Sequence, residues 1–240
     1  MLLNIEIIAT LKIILRLMRI KRGENFSMSK VIIFDMDGTL FQTNLILEPA
    51  LEETFDVLRK ENLWDIKTPI EQYRKIMGVP LPVVWETLCP NHSLEIREKS
   101  NDIFHKKLIE LIKAQKGALY ADVERTLNEL SKKHPLFIAS NGQIEYLQAI
   151  VETYKLDRFI QHTYSIQLMK SGHKSDLVKM VKNENQLGEG YVVGDRSSDI
   201  SAAKDNDLIS IGVNFDFAQE DELKQADFVV NNFKEIIELV

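Results

Sequence analysis

The sequence predicts an α/β fold, a doubly wound parallel sheet carrying an inserted all-helical unit, and three observations lead there. Short runs that are apolar on both faces recur at Val31–Phe34, Leu136–Ala139, Tyr191–Val193, Ile209–Val213 and Phe228–Val230, each followed by a polar or glycine turn. Strands buried on both faces belong to parallel sheets covered by crossover helices. Between Asp37 and Leu136 that rhythm stops and helical spacing replaces it. The carboxylates Asp35, Asp37 and Asp195 lie just beyond two of the apolar runs, where open parallel sheets bind ligands.

Composition sets the frame for these elements. The 240 residues suffice for one large domain or for a core with a sizeable insertion. Hydrophobic residues make up 45% and charged residues 28%, with ten glycines and six prolines, which fits a folded chain and leaves little room for long disorder. A net charge of −6 speaks against a nucleic-acid surface and favours small or cation-assisted substrates. Cys89 is the single cysteine, so no internal disulfide forms and a reducing, cytoplasmic setting is expected. It reads as a half-buried small apolar residue.

Residues 1–27 stand apart from the rest. They are rich in Leu and Ile with five basic and two acidic residues. Lys12, Arg16 and Arg19 interrupt the apolar stretch too early for a membrane span of about 20 residues. Lys21 and Arg22 follow that stretch, whereas an export signal carries its charges before it. The segment reads as a basic amphipathic helix touching a membrane or partner, or as an upstream reading of the start with Met28 as the first residue. The second reading is preferred, because strand-forming residues begin three positions after Met28. Stable membrane insertion is not expected.

Val31–Phe34 is the first strand, and Gly38 permits the turn that follows it. Four stretches with helical spacing come next, at 48–63, 68–77, 81–88 and 93–115, punctuated by proline and by Asn91-His92-Ser93. They predict a helical unit over 44–116, inserted into a core made of 28–43 and 117–240. Trp64 and Trp85 read as the core of that unit. The second strand ends in Ser140-Asn141-Gly142, and the strand in "GYVVGDRSSD" ends in Asp195 with Asp199 on the following turn. If these strands are neighbours, Asp35, Asp37, Asp195 and Asp199 converge. Two unit charges about 4 Å apart repel by about 4 kcal/mol at an effective dielectric near 20, so such a cluster calls for a cation. An all-oxygen ligand set points to Mg²⁺.

Taken together, "DMDGTL" at 35–40, "ASNG" at 139–142, a downstream lysine and "GDRSSD" at 194–199 resemble the four ordered motifs of the haloacid dehalogenase superfamily. The helical insertion resembles that family's C1 cap, and the likeness spans residues 31 to about 232. One such motif alone is modest evidence, whereas four in order at strand ends are specific. The resemblance is to the phosphoglycolate phosphatase and β-phosphoglucomutase branch. It implies a Mg²⁺-dependent phosphoric monoester hydrolase acting on a small phosphorylated metabolite, cytoplasmic, monomeric or homodimeric, with no nucleic-acid partner.

The resemblance also assigns roles. Asp35 is the nucleophile that forms an aspartyl-phosphate. Asp37 is general acid and then base. Ser140, Asn141, Gly142 and the lysine hold the phosphate, with Asn141 read as a helix cap as well. Asp35, the Asp37 carbonyl and Asp195 hold Mg²⁺, with Asp199 nearby or acting through water. Family members often show Lys-Pro, but "LMKSGHKSDLVKMV" offers Lys170 and Lys174 without the proline; register with the following helix selects Lys174 and leaves Lys170 as runner-up. His92, His105, His134, His162 and His173 show no metal-ligand spacing and read as surface or turn residues. In the loop "MGVPLP", Gly78 allows a close approach to substrate, and Leu81 stands where phosphomutases carry a basic residue. A phosphomutase using the same residues and a non-catalytic phosphometabolite-binding regulatory protein stay open. A dehalogenase acting on carbon would have little use for Asp37 or Asp195.

Overall fold

A computed structural model of the chain describes residues 30–76, 79, 81–216 and 218–240, without the side chains of 81 and 82. The expectations for residues 1–27, for Met28, for Gly78 and for the Leu81 side chain fall outside the described residues. Six strands, β1 (Val31–Phe34), β2 (Leu136–Ser140), β3 (His162–Ser165), β4 (Gly190–Gly194), β5 (Ile209–Val213) and β6 (Phe228–Val230), form one sheet in the order β3-β2-β1-β4-β5-β6. Every pairing is parallel. Five strands follow the apolar runs of the sequence. The sixth, β3, has the sequence His-Thr-Tyr-Ser and sits at the sheet edge, its first residue exposed and only its last two buried. An edge strand needs little apolar surface, so no apolar run announced it.

Alternation along the strands builds two cores. Ile32 and Phe34 face one side with Ile138 and Val193, while Val31 and Ile33 face the other with Phe137 and Val192. Helices α7 (Lys174–Glu184) and α8 (Ser197–Lys204) cover the second side through Leu177, Val178, Val181, Ala202 and Ala203. Helices α5 (Val123–Leu130), α6 (Ile144–Thr153) and α10 (Ile236–Leu239) cover the first through Val123, Leu127, Leu147, Ile150 and Ile236. Full burial of an aliphatic side chain of this kind contributes about 1.5–3 kcal/mol. The short helix α9 (Glu220–Leu223) stands between β5 and β6. Among the described residues no helix is long and apolar enough to cross a membrane.

Between β1 and α5 the chain is helical: α1 (Asn44–Lys60), α2 (Ile70–Lys75), α3 (Leu81–Leu88) and α4 (Leu94–Lys113). Helices α1 and α4 pack on each other around an aromatic knot, with Phe55 against Trp64 at 4.7 Å between ring centroids and Trp85 edge-on to Phe104 at 5.7 Å. Ser93 caps α4 by accepting the Ile96 N–H. The two crossings between sheet and helices lie side by side: Gln42 N–H donates to the Ala118 carbonyl at 2.9 Å and Tyr120 N–H to the Leu40 carbonyl at 3.0 Å. Cys89 is buried outright rather than halfway, and burial pushes its thiol up to about 11 against the opposing charge of Arg97.

Candidate active site

Strands β1 and β4 are neighbours on which the chain runs outward in opposite directions across the sheet, so their carboxyl ends frame the crevice where such sheets bind ligands. Asp35 continues the ladder of β1, its N–H donating to the Val193 carbonyl at 2.9 Å. Met36 turns into the core, and its carbonyl accepts the N–H groups of Leu40 and Phe41. Gly38 has φ +77°, and a Cβ there would stand 2.4 Å from Asp195 Oδ2. Glycine is therefore required twice, by the left-handed backbone and by the carboxylate beside it. Where β4 passes into α8, the Arg196 N–H donates to Asp199 Oδ2 at 3.1 Å. A Cβ on Gly194 would meet Asp199 Cγ at 2.0 Å.

These turns gather the acids that the sequence singles out. Oxygens of Asp35, Asp195 and Asp199 lie within 4.8 Å of one another, and all three residues are buried. Lys174, the first residue of α7, reaches in with Nζ 2.5 Å from Asp35 Oδ1 and against Asp199 Oδ1. Lys170 is exposed in the preceding turn, so the fold selects between the two lysines of the sequence. Thr39 Oγ1 donates to Asp195 Oδ1 at 3.3 Å.

Asp37 stands apart from that cluster. Thr43 Oγ1 and the Tyr146 hydroxyl both donate to Asp37 Oδ1. Ser140 is buried at the end of β2, and Gly142 N–H, expected to face phosphate, here donates to Ser140 Oγ at 3.2 Å. A hydroxyl that accepts keeps its own proton to donate. Ser165 Oγ holds the loop by donating to the Gly142 carbonyl at 2.6 Å. Asn141 does not cap α6, which starts later and has Gln143 at its N-cap.

Four carboxylates against one ammonium leave excess negative charge in a buried place. Burial pushes Asp35 up to about 7, with Lys174 opposing and Asp199 and Asp37 adding to the rise. Asp195 is raised well above the usual carboxylate range by burial and by Asp35 and Asp199. Asp37 is raised by burial, against the hydrogen bonds from Thr43 and Tyr146. Burial works against the charge on Lys174, but Asp199 and Asp35 outweigh it and raise its pKa. A buried all-oxygen cluster with this imbalance is a donor set that a hard divalent cation fits.

The acids and Lys174 line a cavity of about 80 Å³ whose outer wall comes from the helices between β1 and β2, with Tyr73, Val79, Phe104, His105 and Leu108. His105 corrects the expectation of a surface or turn residue: it is 8% exposed and lines this cavity. Its spacing with Leu108 and Ile112 places it on the buried stripe of α4, a helical period that was legible in the sequence. Tyr146 also lines the cavity and had no motif to mark it, and Arg196, inside the motif at 194–199 but given no role there, lines it too; Arg196 Nε pairs with Glu222 Oε2 at 3.0 Å. Of the other histidines, His92 and His134 are half-buried and His162 and His173 are exposed.

The chain matches the model of the haloacid dehalogenase-like hydrolases over residues 32–213. Among curated proteins it is 26% identical to pyrophosphatase PpaX of Halalkalibacterium halodurans, covering 87% of this chain and 95% of that protein. It is 23% identical to the phosphoglycolate phosphatase of Vibrio parahaemolyticus, covering 88% of this chain and 96% of that protein. Among solved structures, CbbY from Rhodobacter sphaeroides in complex with phosphate superposes with a TM-score of 0.74 at 18% identity, over 87% of this chain and 96% of that one. Motifs, sheet order and site geometry agree with this match: the chain belongs to the haloacid dehalogenase-like hydrolases.

Proposed function

We propose that the chain is a Mg²⁺-dependent phosphatase that hydrolyses a small phosphorylated metabolite in the cytoplasm by passing the phosphoryl group through Asp35 to water. The observation that carries this reading is the Asp35 carboxylate beside the cavity with Lys174 Nζ at 2.5 Å and with Asp195 and Asp199 next to it. The names of the curated relatives, phosphoglycolate phosphatase and pyrophosphatase, support a small phosphorylated substrate.

In the first step an Asp35 oxygen bonds to phosphorus and the bond from phosphorus to the leaving oxygen breaks. Asp37, whose pKa burial raises, gives a proton to the leaving oxygen. Thr43 and Tyr146 orient it for the transfer. In the second step water bonds to phosphorus, the bond to Asp35 breaks, and Asp37 takes the water proton. Lys174 and Ser140 hold phosphoryl oxygens, since this transition state is met mainly by positioning and charge neutralisation. Asp35, Asp195, Asp199 and the Asp37 carbonyl would hold Mg²⁺, which when bound neutralises charge on the phosphoryl group. Residues 44–116 act in this reading as a cap that forms the outer wall and excludes water.

Hydrolysis of para-nitrophenyl phosphate with Mg²⁺ and with excess EDTA tests the reading. Turnover at least about 100-fold faster with Mg²⁺ is expected. Equal rates, or no hydrolysis under either condition, contradict it.

A further inference from the structure

The outer wall of the cavity is mainly apolar and aromatic, and its polar groups are the His105 ring and the Tyr73 hydroxyl. His105 is 8% exposed, and neither Nδ1 nor Nε2 has a hydrogen-bond partner among the described residues. Its one close ring neighbour is Tyr146, 6.0 Å away between centroids. Buried polar groups in native proteins are nearly always bonded, and two orphaned nitrogens on a residue that lines a binding cavity call for a ligand group to satisfy at least one of them.

Charge narrows what that group is. Tyr73, Val79, Phe104, His105 and Leu108 supply the wall from the helical insertion, and none is a lysine or arginine. The charges that act on His105 are the carboxylates Glu145 and Asp102. On the opposite side Lys174 is engaged by Asp35 and Asp199, and Arg196 by Glu222. A second anionic group on the leaving portion would meet no lysine or arginine among the described residues of this wall, and Glu145 and Asp102, the carboxylates that act on His105, would repel it.

We propose that His105 is a specificity-determining residue that recognises a hydroxyl on an uncharged leaving group, so that the substrates are phosphomonoesters of small neutral hydroxyl-bearing alcohols rather than of acids or of phosphate itself. This rests on the phosphatase reading and goes beyond it. Burial lowers the His105 pKa and keeps the ring neutral. A neutral imidazole offers one donor and one acceptor on divergent edges of the ring, and a substrate hydroxyl, which both accepts and donates, can bond to the one it meets. The relatives named for phosphoglycolate and pyrophosphate would then differ from this chain in substrate, since both of those molecules carry a second anionic group.

The test compares kcat/KM for 2-hydroxyethyl phosphate, n-propyl phosphate, 2-phosphoglycolate and pyrophosphate in the wild type, His105→Leu and His105→Gln, with Mg²⁺ present. The wild type is expected to prefer 2-hydroxyethyl phosphate about tenfold over n-propyl phosphate, which replaces the hydroxyl by a methyl group. It should prefer it by about 100-fold over both dianionic competitors, a larger margin because an unpaired charge costs more than a lost hydrogen bond. His105→Leu should erase the preference over n-propyl phosphate, and His105→Gln, which keeps a donor and an acceptor, should restore part of it. A wild type that favours 2-phosphoglycolate or pyrophosphate overturns the proposal, and so does a hydroxyl preference unchanged in His105→Leu. Para-nitrophenyl phosphate run beside the panel separates the two claims. If it is hydrolysed while the panel shows no hydroxyl preference, only the His105 assignment fails; if it is not hydrolysed, the phosphatase reading fails and takes the assignment with it.

Discussion

Lys174 ends between two carboxylates in a place where it is almost fully buried, and that position sets it apart from the exposed Lys170 and supports its proposed role. Lys174→Ala leaves Asp35 and Asp199 facing each other without their cation and removes the charge aimed at the phosphoryl oxygens. Steady-state kinetics should show kcat lowered by at least about 100-fold. Lys170→Ala, at an exposed turn, should stay within about twofold; the reverse pattern would reassign the charge. At this scale the sequence was uneven. Asp35 and Asp37 were legible because spacing places them just past a strand, and Lys174 because helix register reaches back to the same point. Tyr146 was not, since its bond to Asp37 joins residues 109 positions apart and no local pattern encodes that. His105 lay in a visible helical stripe but was read for metal spacing alone, which set aside the burial that makes it matter.

At the scale of elements, the helices after β1 hold together by packing rather than by capping. Among α1, α2 and α4, only α4 has a side-chain cap bond, while Phe55, Trp85 and Phe104 fill the space between them. Trp85 is 2% exposed and its Nε1 donates to Asn101 Oδ1 at 2.9 Å. Trp85→Ala opens a large cavity and strands the asparagine, so urea unfolding should show a loss of about 3–5 kcal/mol. A loss under about 1 kcal/mol would mean that the helices do not depend on this knot. The five apolar strands were legible because each is buried on both faces, and β3 was not because an edge strand with an exposed first residue carries no such run. Helical spacing marked all four helices of the insertion, because each buries one stripe and exposes the rest.

For the whole molecule, the strand order explains why a charge cluster survives in the interior. The sheet brings the ends of β1 and β4 together, and the acids that chemistry needs are forced into one buried space. The order itself was not legible: apolar runs announce parallel strands but not which of them are neighbours, and convergence of the acids was expected only on the condition that β1 and β4 adjoin. The metal-free protein should record the strain as a dependence of stability on pH. Asp35 titrates near 7 in the folded state and near 4 when unfolded, and Asp37 and Asp195 shift the same way. The folded state therefore binds more protons, and stability falls as pH rises from about 5 to about 7. Glu222 and Asp227 are lowered, so their contribution is lost only as pH falls below about 4 and leaves that window flat, while His105, lowered by burial, adds stability as pH rises toward about 6.5 and offsets part of the fall from the three carboxylates. The raised Lys174 acts only above the ordinary lysine range. Melting temperature measured in EDTA should fall from pH 5 to pH 7, and saturating Mg²⁺ should flatten the slope; a metal-free protein that gains stability over this interval contradicts the electrostatics. The central claim is that two carboxylates two residues apart do different work, one attacking phosphorus and one moving protons. Rapid-quench labelling with an activated aryl phosphate tests it most directly. Asp35→Asn should carry no label and show no turnover, while Asp37→Asn should accumulate a labelled enzyme that hydrolyses slowly. Label and turnover persisting in Asp35→Asn, or Mg²⁺-dependent hydrolysis left intact by both substitutions, would contradict the account.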